Sequence, residues 1–266
     1  MRSAMHNGII LTKRERRDRA AVVLGSTFIS VLAWAFLFYR SWVTQRIDFV
    51  AVVMPGIDQW TPAVLLMVFA MWAIMMVAMM VPPVTPMLLT FAMISSNRLA
   101  QGRAFVPWWV FLAGYLVFWT AFGVLATLAQ WGLHSLALPS PTMGSTSPLV
   151  GSLLLMAAGI YQWTTLKQAC LSHYQTPSRF LLTSGRHHDG KVAFLMGLRH
   201  GACCLGSCWL LMAVLFAVGA MNLAWIAGLS VFMLLEKILP REFRVAKVAG
   251  LILTASGAWM ALSAGG

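Results

Sequence analysis

Acidic residues are nearly absent. The chain holds seven Asp and Glu against 19 Lys and Arg, and only 10% of its 266 residues are charged. A soluble domain carries about 25%, so a soluble globular fold is not expected. Regular polar–apolar alternation over short segments is also missing, which argues against a β-barrel. The four cysteines are too few and too unevenly spaced for a secreted disulfide framework. There is no phosphate-binding loop and no nucleophile–base arrangement, and carboxylates are scarce, so no enzymatic activity is expected. The formal charge of +12 would suit nucleic acid. The basic residues lie between apolar runs rather than in one patch, so nucleic acid is not expected as a partner.

What the chain does have is apolar length. It is 60% hydrophobic with a mean hydropathy of +0.79. Apolar runs at about 20–39, 62–81, 106–131, 148–166, 203–220, 223–239 and 246–263 predict an all-α, polytopic transmembrane helical bundle of about seven spans. Residues 1–19 read as a basic cytoplasmic tail and 20–266 as a single transmembrane domain. The first run is long enough to span and lacks a small-residue cleavage site, so it reads as a retained helix. Pro62, Pro107 and Pro148 suit helix starts. Pro82, Pro83 and Pro86 predict a break in the second span, with 87–103 along the interface. The three residues Ala220-Met221-Asn222 predict a tight hairpin between the fifth and sixth spans.

Charge orients this arrangement. With the N-terminus in the cytoplasm, the inner segments hold 17 of the 19 Lys and Arg, and only Arg40 and Arg46 remain outside. No internal repeat is evident, which weakens an inverted-repeat transporter.

Sulfur is the second resource. Met67, Met71, Met75 and Met79 step by four, and Met76 and Met80 form an adjacent stripe. Methionine also fills ordinary cores, so this stripe alone leaves core packing and a ladder of soft ligands both open. Cys170 falls just past the cytoplasmic end of the fourth span, and Cys203, Cys204 and Cys208 open the fifth from the same side. In the reducing cytoplasm, free thiols or metal ligands are expected there. Cys204, Cys208 and Met212, spaced by four, put two thiols and a thioether on one stripe, which suits low-coordinate Cu(I) better than four-ligand zinc. His200, close to Cys203, is a further candidate ligand. His173 shares the same segment, while His187-His188 beside Asp189 read as a solvated loop. Cysteine is also a small apolar residue, and Gly201, Gly206 and Ser207 could simply allow close helix packing. Glu236-Lys237 reads as a snorkelling anchor, with a metal- or proton-partner role as the lesser alternative.

The stretches MWAIMMVAMMVPPVTPM (71–87), YQWTTLKQACL (161–171), GACCLGSCWLLM (201–212), GAMNLAW (219–225) and Glu236-Lys237 together resemble a family of bacterial integral membrane proteins. Its members are labelled predicted metal-binding and sometimes copper chaperone. The resemblance implies a multi-pass protein of the bacterial inner membrane, in contact with lipid. Members of that family resemble one another in a second cysteine after the one matching Cys170 and in a Cys-Cys pair before the tryptophan matching Trp209. This chain has Tyr174 and Ser207 there, and Cys203 is an extra thiol.

The leading expectation is a copper(I)-binding chaperone or transfer factor. Cys204 and Cys208 would be the primary ligands, with Cys170, Cys203 and His200 as further candidates. Met212, Met71, Met75, Met79 and Met80 would be weaker auxiliaries. A metal-donating or metal-receiving protein would be the partner, and homo- or hetero-oligomerisation stays open. Two other readings also stay open: a metal-free accessory or assembly subunit, and a metal transporter.

Overall fold

The computed structural model describes residues 13–46, 60–102, 104–135, 148–175, 189–218, 223–239 and 245–264. Among them are eight helices and no strand: α1 (Lys13–Arg46), α2 (Pro62–Ala100), α3 (Trp108–Ser135), α4 (Pro148–Tyr161), α5 (Thr165–Gln175), α6 (Gly190–Val218), α7 (Leu223–Ile238) and α8 (Val245–Ala264). Five of these, α1, α2, α3, α6 and α8, are long and apolar enough to cross a membrane. The pair α4–α5, bent by 61°, makes a sixth candidate. Helix α7 has 16 residues, about 24 Å of rise, less than a hydrocarbon core of ~30 Å. Large apolar side chains point outward from α1 and α8, among them Leu24, Phe28, Leu251 and Trp259. Such surfaces are compatible with lipid.

The helices depart from the expected boundaries in four places. The basic segment 13–19 is helical and continuous with α1. Helix α2 runs unbroken through Pro82, Pro83 and Pro86 for 39 residues, so no interfacial helix starts at 87. The fourth span divides at Gln162–Thr164, and the second piece, α5, carries Cys170 within it. Helix α6 starts at Gly190, which places the cysteines of 203–208 in its middle rather than at its mouth. Lys191 and Arg199 face out from that helix and His200 faces in, so a polar stretch that reads as a loop is one amphipathic turn after another. The expected hairpin at 220–222 lies outside the described residues.

The continuity of α2 has a local cause. Proline lacks the N–H that would bond four residues back, so Pro82 leaves the Ala78 carbonyl without its helical donor. The Trp34 indole of α1 supplies one, with Nε1 3.1 Å from Ala78 O. Two residues on, the Tyr115 hydroxyl of α3 donates to Met80 O at 3.0 Å. Trp34 thus replaces the donor that Pro82 lacks, as apolar surroundings require, whereas Met80 lies four residues before Val84 rather than a proline, so Tyr115 is an added donor there. At its start α2 follows expectation, with Pro62 in the first turn and Thr61 capping Val64 N.

Helices α2, α3 and α6 form the centre. Trp72 of α2 donates to Gln130 of α3 across 2.9 Å, both side chains buried. The α3–α6 contact is close because Gly114 and Gly197 face backbone: a Cβ on Gly114 would strike the Phe194 carbonyl, and one on Gly197 the Phe111 carbonyl. This approach brings Tyr115 of α3 alongside His200 and Cys204 of α6.

Trp34→Phe keeps the ring and removes the donor. It should destabilise the protein by about 1–3 kcal/mol, read as a lower thermal midpoint in detergent. Trp259→Phe, on the exposed face of α8, should leave the midpoint nearly unchanged. Equal effects would contradict the repair of α2 by Trp34.

Candidate metal centre

Helix α6 carries a buried row at a spacing of four: Met196, His200, Cys204, Cys208 and Met212, each 4% exposed or less. On a helix this spacing stacks side chains along one face, and here that face is turned into the bundle. The thioether at Met196 extends the expected stripe by a turn.

Cys204 is the focus. Its Sγ lies 3.8 Å from Met80 Sδ of α2, 3.3 Å from the Tyr115 hydroxyl of α3 and 2.8 Å from Lys237 Nζ of α7. One turn on, the Cys208 thiol donates to the Cys204 carbonyl at 3.1 Å, and the two cysteine side chains also interact with each other. Ser207, standing where the resembling sequences have cysteine, is buried and donates its hydroxyl to the same carbonyl at 2.7 Å. Three buried sulfurs from two helices thus lie near one another, Met80 in contact with Cys204 and Cys208 one turn on.

Charge gathers beside them. Lys167 of α5 pairs with Glu236 of α7 at 2.7 Å, with both side chains essentially inaccessible. The Lys167 ammonium also donates to Gln162, the residue at the α4–α5 break, and it sits 5.8 Å from the centre of the Phe232 ring. Break and ion pair therefore depend on each other, since the bend lets α5 turn Lys167 into the bundle. Glu236 and Lys237 are 3% and 5% exposed. They are not a snorkelling anchor. Each desolvated ion costs several kcal/mol unless paired, and both are paired: Glu236 with Lys167, Lys237 with Cys204.

The other candidates fall into distinct places. Cys170 and Cys203 are half-buried. Cys170 packs over Gly206, where a Cβ would come within 2.8 Å of its sulfur. Both are more accessible than the central sulfurs. His200 is buried between the rings of Phe111 and Tyr115, at centroid distances of 5.7 and 5.9 Å. Its position favours aromatic packing one turn from Cys204. Met71, Met75 and Met79 are buried in the core, and Met80 of the same helix contacts Cys204. Met67 is 47% exposed. The side chains of His173 and Tyr174, and all of His187 and His188, lie outside the described residues.

Among the described residues, no three His, Cys, Asp or Glu side chains converge as a metal-binding group. A site here needs the thioether of Met80 beside the two thiols. That donor set is poor for zinc and suits a soft, low-coordinate ion. Lys167 and Tyr115 were not among the expected site residues, and Lys237 was expected there only as the lesser alternative to an anchor. The available signal was a pair of ionisable residues inside an apolar span, which more often marks function than anchoring when it faces the interior.

A family model described as PpoB2, copper chaperone, matches residues 69–260, and the chain belongs to that family. No curated protein and no solved structure matches it. The matched region takes in every residue of the cluster just described.

Replacing Glu236 by Gln should leave two buried lysines with no carboxylate and cost about 3–5 kcal/mol, measured as thermal or denaturant stability in detergent. The double change Lys167→Met, Glu236→Leu removes both charges and should recover most of that loss. A double variant no more stable than Glu236→Gln would contradict the pairing.

Proposed function

We propose that the chain is a non-enzymatic, membrane-embedded copper(I) chaperone whose metal is carried by Cys204 and Cys208, with Met80 as the third ligand. The observation that carries the reading is the fully buried Cys204 sulfur, flanked by Cys208 and 3.8 Å from Met80 Sδ. Membership in the copper chaperone family supports copper as the cargo. Thiolate and thioether together favour the cuprous ion. Two thiolates hold it firmly, and a weaker thioether can let go first, which is useful in a protein that must hand its ion on.

Cys170 and Cys203 are placed to receive or release the ion. They are half-buried where Cys204 and Cys208 are fully enclosed, so an ion can pass between an accessible thiol pair and the inner site by ligand exchange. A chaperone also needs a second protein that gives or takes the metal. The inner membrane is the compartment that the apolar helices and the basic segments favour, with the N-terminus in the cytoplasm. A transporter is the second reading, favoured by the row of buried soft donors from Met196 to Met212 on α6, about 24 Å along the helix axis.

Cys204→Ser and Cys208→Ser should each abolish the tightly held Cu(I) equivalent of the detergent-purified protein, measured by elemental analysis under reducing conditions. Cys170→Ser should keep that equivalent and slow its exchange with a chelator. Unchanged stoichiometry in both inner variants would sink the assignment.

A further inference from the structure

Helix α1 packs along α2 and leaves a groove between them and the end of α7. The groove has a volume of about 780 Å³, and no charged residue lines it. Its walls include Ser26, Ser30 and Trp34 of α1, Pro82 and Pro86 of α2, and Leu234 of α7. Two small α1 side chains face two proline rings spaced by four, and neither fills the space between them. Val31, Phe38 and Ile238 on the rim are more than half exposed, so the groove opens to the outside of the bundle.

Polar groups in these walls are engaged within the protein. Ser26, Ser30 and Thr85 turn their hydroxyls back onto carbonyls of their own helices, at 3.2, 2.7 and 3.2 Å. The Trp34 indole is held by the Ala78 carbonyl. The groove therefore offers a ligand apolar contact rather than hydrogen bonds. From Ser26 to Phe38 it runs about 18 Å along α1, of the order of one leaflet of hydrocarbon, ~15 Å. A methylene displaces about as much volume as a liquid water, ~30 Å³, so an acyl chain of about 18 carbons fits with room to spare. A transmembrane helix of ~10 Å diameter takes about 400 Å³ per turn. The groove holds roughly two of the five or so turns that a span needs, so a helix would rest on it without filling it.

Charge marks one end of it. Residues 13–19 hold five basic residues against Glu15 and Asp18, and residues 1–12 contain no Asp or Glu. Arg16 precedes Ser30 by two heptads and Arg19 precedes Ser26 by one, which puts both arginines on the face of α1 that lines the groove. The Ser96 hydroxyl donates to Asp18 across 2.7 Å, so Arg98 in the last turn of α2 lies at the same level. We propose that this groove is a binding site for an anionic glycerophospholipid, with one acyl chain lying along α1 against Pro82 and Pro86 and the phosphate meeting Arg16 and Arg19. Arg19 stands about 10 Å before Ser26 along the helix axis, a gap that the glycerol and the first carbons of the chain cross. The basic end is the one that charge places in the cytoplasm, where the leaflet carries anionic lipid. The site rests on the membrane placement proposed above and on none of the metal ligands.

The test uses the full chain purified in detergent and titrated with phosphatidylglycerol or phosphatidylcholine, the bound lipid being counted by native mass spectrometry. Wild type should hold phosphatidylglycerol and prefer it to phosphatidylcholine by about tenfold or more. Ala35→Trp fills the groove from an exposed position and should lose that lipid. Thr27→Phe fills it from another exposed position should the first variant not purify. Leu251→Trp, on the exposed face of α8, should keep the lipid. The double change Arg16→Gln, Arg19→Gln should keep lipid binding and lose the preference. Equal binding of both lipids by wild type would overturn the inference, as would a charge variant with the wild-type preference. A filled groove that retains the lipid, or a control that loses it as fully as Ala35→Trp, would do the same. A dimer that Ala35→Trp dissociates would put a second copy in the groove instead. A chain that stays in solution without detergent would remove the membrane placement and the site with it, whereas a detergent-dependent chain that binds neither lipid removes the site alone.

Discussion

The contact between Lys237 and Cys204 is the constraint on which the centre of this molecule depends. A lysine ammonium held among apolar helices requires partners, and one of them here is a sulfur. The only buried carboxylate of the described residues, Glu236, is already engaged by Lys167. Four helices meet to satisfy these charges: α5 brings Lys167, α6 the cysteines, α7 Glu236 and Lys237, and α3 the Tyr115 hydroxyl. A buried ion pair contributes little net stability compared with apolar packing. Its retention is therefore better understood as positioning, because it fixes where the sulfurs sit and what charge surrounds them.

The same economy of donors explains the second helix. Three prolines within five residues would ordinarily end it. Instead Trp34 caps the Ala78 carbonyl that Pro82 leaves without its helical donor, and Tyr115 adds a bond to the Met80 carbonyl nearby. Tyr115 thereby touches both the backbone of Met80 and the sulfur of Cys204. One hydroxyl ties the irregular part of the methionine helix to the thiol opposite, so the proline cluster and the sulfur cluster belong to one structural device. The fold brings Met80 to Cys204 through that link.

Much of this was legible in the sequence, and the failures have physical causes. Helical class followed from apolar run length. The row of Cys204, Cys208 and Met212 followed from a spacing of four, which a helix turns into a single face wherever the helix begins. Helix ends were less legible. The start of α6 was hidden because Lys191 and Arg199 look like loop residues until their exposure on one side is known. The persistence of α2 depended on a tryptophan 44 residues earlier in the chain, and no local rule contains that information. Glu236-Lys237 at the end of a span looks the same in sequence whether it snorkels or turns inward. Only the packing of α7 against α5 and α6 separates the two. Six methionines appeared equivalent in sequence, and the crossing of two helices brings Met80 to the level of Cys204.

The account stands on sulfur-only coordination at Cys204. X-ray absorption at the copper edge, on the Cu(I)-loaded protein in detergent, reads the first shell directly. The expected result is a cuprous edge with sulfur as its only near neighbour, lost in Cys204→Ser and reduced by one scatterer in Met80→Leu. A first shell of nitrogen or oxygen that persists in Cys204→Ser would contradict it.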